Sequence, residues 1–446
     1  MKSKQQATHN KAISRSKKGI KRRTFCQLGF FFPAVAFPFS RIFKSSKEAN
    51  RSLSLSTPRL SSPSPLSSPS SPSSPLFPPL RSSVYDPWIE LDLDALSWNL
   101  DKIRQLTKVQ IMAVIKANAY GHGLVEVARA LEKKKVAALM AGKLQEALTL
   151  REEGIVAPIF NFGPFGKEDV ADIIRYQIQQ CVYTPEVEAL SKAARQRYQQ
   201  AAIHVHIDTG MGRAGVPFPE ALSYLEKVSS LEGIKITGIS TTLTEDPEFD
   251  RLQLKRFLEV CRQAEEKGIS IGLKHVASSS GILTLPESHL DLIRPGIMLY
   301  GYYPSTATQL EDRLQLRPVL HLKCRVYMVK TLSPGDSVSY HRAYTASKKE
   351  KIALLPLGYS DGYPPNTSEK SAVLIRGKRF PLVVSPTANH LEVLLGENSE
   401  VRAGDEAVLI GPQKQAHISA FELGQWSNQS VYKVLINLNP LLPRRT

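Results

Sequence analysis

The chain has 446 residues, 42% of them hydrophobic and 22% charged, a length that fits about two domains. Its net charge of +17 invites a nucleic-acid reading, but residues 1–85 hold 15 of the 58 basic side chains and a single acid, Glu48. The remainder carries a net of about +3, so no phosphate-tracking surface and no nucleic-acid partner are expected. Four cysteines, Cys26, Cys181, Cys261 and Cys324, show no metal-ligand spacing and no disulfide framework, and no metal site is expected.

Residues 1–40 read as a targeting segment. A basic start runs through Lys21-Arg22-Arg23-Thr24 into an apolar stretch, Phe25 to Phe39, which contains Ala34-Val35-Ala36. That is the charged, apolar and small-residue order of a secretory signal, and the Arg-Arg-Thr-Phe core looks like a twin-arginine signal that exports folded proteins. An organelle transit peptide or an uncleaved anchor would share these features, and a cytoplasmic location stays open. The stretch is short and broken by proline, so no stable membrane span is expected. Residues 41–84 form a linker: 14 of the 15 residues from Ser61 to Pro75 are Ser or Pro, a composition that predicts an extended, disordered spacer.

From Lys108 onward, short apolar runs alternate with amphipathic segments. Strands are predicted at 109–115, 136–141, 157–162, 177–183, 202–208, 236–241, 271–276 and 290–294. Helices are predicted at Leu124–Lys133, Leu144–Glu153, Pro185–Tyr198, Pro219–Leu231 and Phe249–Lys267. Eight such units within residues 85–316 are the count of a (β/α)8 barrel, with a doubly wound sheet as the alternative. After Arg317-Pro318 the pattern changes to short strands (319–330, 351–356, 372–376, 380–384, 391–395 and 406–410) between Gly-rich turns. Residues 317–446 therefore read as a second, mainly β domain.

One stretch stands out, Lys108 to Gly123. A buried strand over Ile111–Ile115 ends in Lys116, followed by Tyr120-Gly121-His122-Gly123. A lysine at the mouth of a buried strand either snorkels out or does chemistry, because desolvation can free its amine to condense with an aldehyde. Ala113 to Gly123 resembles the pyridoxal-phosphate signature of the alanine racemase family, whose lysine carries the cofactor covalently. The resemblance covers about residues 86–445. It implies interconversion of L- and D-alanine on pyridoxal 5'-phosphate, with D-alanine serving cell-wall synthesis, in a homodimer with shared sites. It also implies that the first strand, Trp88 to Leu93, joins the β domain.

Several further motifs match the family in order. Asp208-Thr-Gly-Met-Gly-Arg213 implies Arg213 near the cofactor's phenolic oxygen and the substrate. His275 to Gly281 resembles the phosphate loop, which implies Ser279 as phosphate ligand and His275 as a further cofactor contact. Leu292 to Gly301 implies backbone N–H groups of Gly296 and Ile297 for the phosphate, and Arg294 facing the pyridine nitrogen. Tyr120 and Tyr432 would also reach the phosphate. Gly335 to Tyr340 resembles the motif of the second base, so Lys116 and Tyr340 of the partner subunit would work on opposite faces of Cα. A tyrosine hydroxyl titrates near pH 10, so positive charge has to stand close by, with His275 and Arg294 behind it as the expected source. Leu357 to Tyr363 resembles the substrate entrance, with Tyr359 at its inner ring, and Ala388 would meet the substrate carboxylate through its N–H.

Some positions depart from the family. His206 stands where a carbamylated lysine usually supports Arg213, Thr242 replaces a histidine near Arg294, and Lys433 replaces an acid. Ser385 to Asn389 puts Ala388 where methionine is usual. These leave substrate breadth open, including a broad-specificity amino-acid racemase or a cofactor-binding relative with little turnover. Basic amino-acid decarboxylases share the architecture, but their Gly-rich phosphate loop and Cys-based acid are not found here.

Overall fold

The computed structural model describes residues 83–305, 308, 314–367 and 370–446, all of one compact unit. The targeting segment and nearly all of the predicted spacer lie outside the described residues.

The chain enters through β1 (Trp88–Leu91) and the helix Leu93–Leu106, then builds the barrel. Its strands are β2 (Gln110–Val114), β3 (Ala138–Ala141), β4 (Ile159–Asn161), β5 (Gln179–Val182), β6 (Ala201–Asp208) with the short β7 (Val216–Pro217) on its edge, β8 (Ile234–Ser240), β9 (Leu273–His275) and β10 (Leu292–Ile293). All pairings are parallel, in the order β10-β2-β3-β4-β5-β6-β8-β9, and a single bridge between Ser278 and Arg294 links the two ends. The eight predicted strands are all present. The intervening helices form because their apolar residues recur on one face. Leu124–Lys133 buries Leu124, Val127, Ala128 and Leu131 against the sheet. Pro247–Glu266 starts cleanly because Pro247 opens its first turn and the Asp246 carboxylate accepts the N–H groups of Glu248 and Phe249.

The β domain contains β11 (Leu320–Arg325), β12 (Met328–Leu332), β13 (Ser337–Val338), β14 (Tyr344–Thr345), β15 (Glu350–Leu355), β16 (Ala372–Ile375), β17 (Lys378–Pro381), β18 (Leu391–Gly396), β19 (Glu406–Gln413), β20 (Ala416–Ile418) and β21 (Arg444–Arg445). Its main sheet runs β17-β16-β19-β11-β1-β21, so the first strand does join this domain, antiparallel to β11. The predicted single strand 319–330 is two. At Val326 and Tyr327 the chain leaves β19's neighbourhood, giving its N–H groups to Asp405 and Leu354, and β12 pairs with β15 in another sheet. Two helices were also missed, Ala420–Ser427 and Val431–Ile436, each capped by a serine, Ser419 or Ser430, that accepts a first-turn N–H. Both are too short to show a helical period.

A continuous apolar core runs from the barrel into the β domain. Fully buried Asn99 fixes the handover: its amide donates to the carbonyls of Leu299 and Arg317 at 3.0 and 2.7 Å, and its oxygen accepts the Arg317 N–H at 2.7 Å. Asn99→Ala leaves those groups unpaired and should cost roughly 2–4 kcal/mol, read as a lower urea midpoint at unchanged slope. A midpoint equal to that of the natural chain would show that the junction is held elsewhere.

Candidate active site

Every predicted barrel residue of the site lies at or just beyond the C-terminal end of its strand, the face on which barrels of this kind carry chemistry. Lys116 follows β2, solvent-accessible at an open mouth, yet the surrounding wall partly desolvates it. Burial, then the charges of Arg213 and Arg294, hold its amine below the usual lysine range against the opposing pull of Glu146.

The backbone after Lys116 is unusual. Ala117, Asn118, Ala119 and Tyr120 all have φ between 52° and 54°, a left-handed turn that costs roughly 1–2 kcal/mol per residue for ordinary side chains. It is held from several sides. Ala119 donates to Ile115 O, Gly121 to Ala117 O, Leu124 to Asn118 Oδ1, and Asn118 to Glu146 Oε1. Gly121 ends the turn at φ 83°, and a Cβ there would fall 2.0 Å from the Leu435 carbonyl oxygen. The helix Val431–Ile436 thus lies directly on the turn, which sets the Tyr432 ring 6.0 Å from that of Tyr120.

Arg294, just after β10, is buried and uses both terminal nitrogens. One donates to His275 O and His275 Nδ1 at 2.5 and 2.7 Å, the other to Thr241 O and Val276 O at 2.7 and 3.0 Å. Among the described residues no hydrogen bond is made by its Nε–H. Burial pulls its pKa to about 10, so it stays protonated at neutral pH. A guanidinium only donates, so His275 accepts at Nδ1, keeps its proton on Nε2 and donates to His204 Nδ1 at 2.8 Å. Burial, with Arg294 beside it, pushes the pKa of His275 well below the ordinary value. Two expectations change here. His275 is neutral and cannot supply positive charge, and with both ring nitrogens engaged it holds Arg294 and offers none to a cofactor.

His206 is also neutral, brought to about 3 by burial and then Arg294. Its ring bonds Ser240 Oγ at 2.8 Å and lies 3.5 Å from Thr242 Oγ1. Among the described residues no hydrogen bond joins it to Arg213. The Arg213 loop is shaped instead by Asp208, whose carboxylate accepts the N–H groups of Gly210, Gly212 and Arg213. Burial would raise the Asp208 pKa, but these bonds outweigh it and hold the carboxyl below its usual range. Arg213 is exposed, and its charge is felt at Lys116.

Beside Lys116 is a cup of hydroxyls. Ser279 Oγ accepts the Gly296 N–H at 2.9 Å, so that N–H, expected for a phosphate, is held by the serine. Ile297 opens the tight turn Ile297–Tyr300 alongside. A Cβ on Gly296 would fall 2.5 Å from Tyr120 Oη, so only glycine lets that hydroxyl come so close. Ser279, Tyr120 and Tyr432 are neutral oxygen donors around a glycine floor, a set that suits a phosphate ester. Burial, then Glu245, pushes the Tyr432 pKa up to about 12, so its hydroxyl keeps its proton to donate. The residues present fit pyridoxal phosphate.

Apart from Tyr432, the β-domain site residues form a separate group. Tyr340 is 78% exposed, in a turn where Ser339, His341 and Arg342 have φ of 65°, 58° and 52°. Tyr359 is 52% exposed, and its loop is pinned to Ala388, whose carbonyl accepts Ser360 N–H and Oγ–H at 2.9 and 2.7 Å. Among the described residues no hydrogen bond or ring contact joins Tyr340, Tyr359 or Ala388 to the Lys116 cluster.

Sequence reasoning missed Glu146 and His204. Glu146 had only a general signal, an acid in the first turn of a predicted helix. His204 had none, because a strand histidine reads the same whether or not it meets a partner.

Comparison with known proteins agrees with this geometry. The family model for the alanine racemase N-terminal domain matches residues 91–304, and that for the C-terminal domain matches residues 319–446. The alanine racemase of Carboxydothermus hydrogenoformans is 38% identical over 363 residues, 80% of this chain and 98% of that protein. A solved alanine racemase of Clostridium difficile 630 superposes with a TM-score of 0.77 at 33% identity, covering 81% of this chain and 96% of that one. The Bartonella henselae alanine racemase structure, described as holding covalently bound pyridoxal phosphate, shares the fold at a TM-score of 0.71 and 23% identity, over 80% of this chain and 99% of that one. The chain belongs to the alanine racemase family and is an enzyme that interconverts L- and D-alanine.

Proposed function

We propose that this chain racemises alanine with pyridoxal 5'-phosphate held through Lys116, and with Lys116 and Tyr340 of the partner subunit as proton carriers on opposite faces of Cα. The observation that carries the reading is a partly desolvated amine beside a hydroxyl cup and a buried arginine that is charged at neutral pH. When bound, the cofactor withdraws electrons from Cα and makes its proton labile. Lys116, with a lowered pKa, is deprotonated at a lower pH than a free lysine and takes that proton on its own face. Arg294 donates and never accepts, so it holds its ligand without passing it a proton. Ser279, Tyr120, Tyr432 and the Ile297 amide would hold the phosphate, and Arg213 and the Ala388 N–H the substrate end. Tyr340 is exposed in one chain, which supports a dimer in which it completes its neighbour's site.

The basic leader and its paired arginines support export of the folded enzyme. A reporter fused behind residues 1–84 should then leave the cytosol, and Arg22→Lys with Arg23→Lys should retain it there.

Lys116→Ala should lose both the borohydride-reducible lysine link and racemisation. Tyr340→Phe should keep the link and lose Cα inversion of alanine, followed in deuterated water. A variant at Tyr340 that still inverts alanine at a near-normal rate identifies another second base.

A wider substrate range has one observation in its favour. The Ala388 backbone is pinned by Ser360, so its methyl stays where the family resemblance expects a larger side chain, and His390 is exposed. Serine and larger amino acids should therefore be racemised beside alanine. Ala388→Met should cut their kcat/KM about tenfold or more while sparing alanine. Strict preference for alanine in both proteins would end this reading.

A further inference from the structure

We infer that Glu146 is a positioning residue for Lys116: its carboxylate ties the backbone after the lysine to the loop that the lysine side chain packs on. Glu146 lies in the first turn of the helix Leu144–Glu152, after β3. Its Oε1 accepts the N–H of Asn118, two residues beyond Lys116, at 3.1 Å. Its Oε2 accepts the N–H groups of Gly142 and Lys143 at 2.9 and 3.2 Å.

An ordinary helix-start role accounts for the Lys143 bond alone. The other two donors belong to segments that flank Lys116. A Cβ on Gly142 would fall 2.9 Å from Lys116 Cβ and 3.5 Å from its Cδ, so the lysine stem lies against that glycine. One carboxylate therefore fixes the chain on one side of the lysine and the surface on the other. Three N–H donors on two oxygens require a group that only accepts, and glutamine would turn an N–H toward one of them. The left-handed turn makes the clamp necessary, since Ala117 and Ala119 have no intrinsic preference for that conformation. The negative charge acts on the amine as well, opposing Arg213 and Arg294.

The inference rests on Lys116 being the amine that carries the cofactor and moves the proton. Borohydride reduction of the natural holoenzyme followed by peptide mass mapping tests that first, and a label on any other lysine overturns both readings. Holoenzymes of Glu146→Gln and Gly142→Ala are then compared with the natural chain for kcat, KM and the pH profile of kcat, in the direction in which Lys116 takes the proton. Glu146→Gln removes the charge that favours the protonated amine, so the acid limb of kcat should move to lower pH. Its plateau should fall about 10- to 100-fold with KM within about threefold. Gly142→Ala keeps the charge, so its plateau should fall similarly with the limb unmoved. A Glu146→Gln enzyme that only melts earlier, with the limb and plateau of the natural chain, overturns the inference. If that variant does not fold, an unchanged plateau in Gly142→Ala overturns it alone.

Discussion

A guanidinium buried in a barrel still keeps its proton at neutral pH, so the protein has to surround it with acceptors. Arg294 dictates much of what stands around it. Its terminal nitrogens draw the carbonyls of Thr241, His275 and Val276, which brings the ends of β8, β9 and β10 together where strand pairing between β9 and β10 is nearly absent. The same charge fixes the tautomer of His275 and, through it, the direction of the bond to His204. It also lies among the causes that lower the pKa values of Lys116, His204, His206 and His275. With His204, His206 and His275 all neutral, the surroundings of Arg294 are electrostatically simpler than their composition suggests.

Lys116 is placed by a different kind of constraint, backbone strain held by tertiary contacts. Its left-handed turn is not a local preference of Ala117-Asn-Ala-Tyr120. It persists because Glu146, Asn118 and the helix Val431–Ile436 occupy the positions that any relaxation would need. Strain kept beside a reactive amine is strain used for placement.

The barrel was legible in the sequence because its strands are buried on both faces and read as apolar runs, while its helices have one apolar face. Boundaries were close, as with Leu124–Lys133. The β domain was less legible. The change of sheet at Val326 and Tyr327 leaves no break in hydrophobic pattern, and the two C-terminal helices are shorter than the window a period needs. At the site, the residues that a spaced motif places after strands (Lys116, Arg213, Ser279, Arg294) do lie beyond the strand ends. Roles set by a partner far along the chain were not legible, so His275 was read as a charge and a cofactor contact, although its neighbours make it a neutral support.

Arg444 in β21 donates to the carbonyls of Gly121 and His122, 323 and 322 residues away in sequence. β21 also pairs with β1, near the start of the folded unit. On a ribosome the loop after Lys116 is made early and its fastener very late. The barrel can collapse during synthesis with the Glu146 tie already in place, but the loop that carries the reactive amine gains its Arg444 bonds and its cover by the helix Val431–Ile436 only after the β domain has emerged. Completion of the site is thereby deferred, and a chain that stops before β21 holds the lysine with only the barrel's half of its fastening.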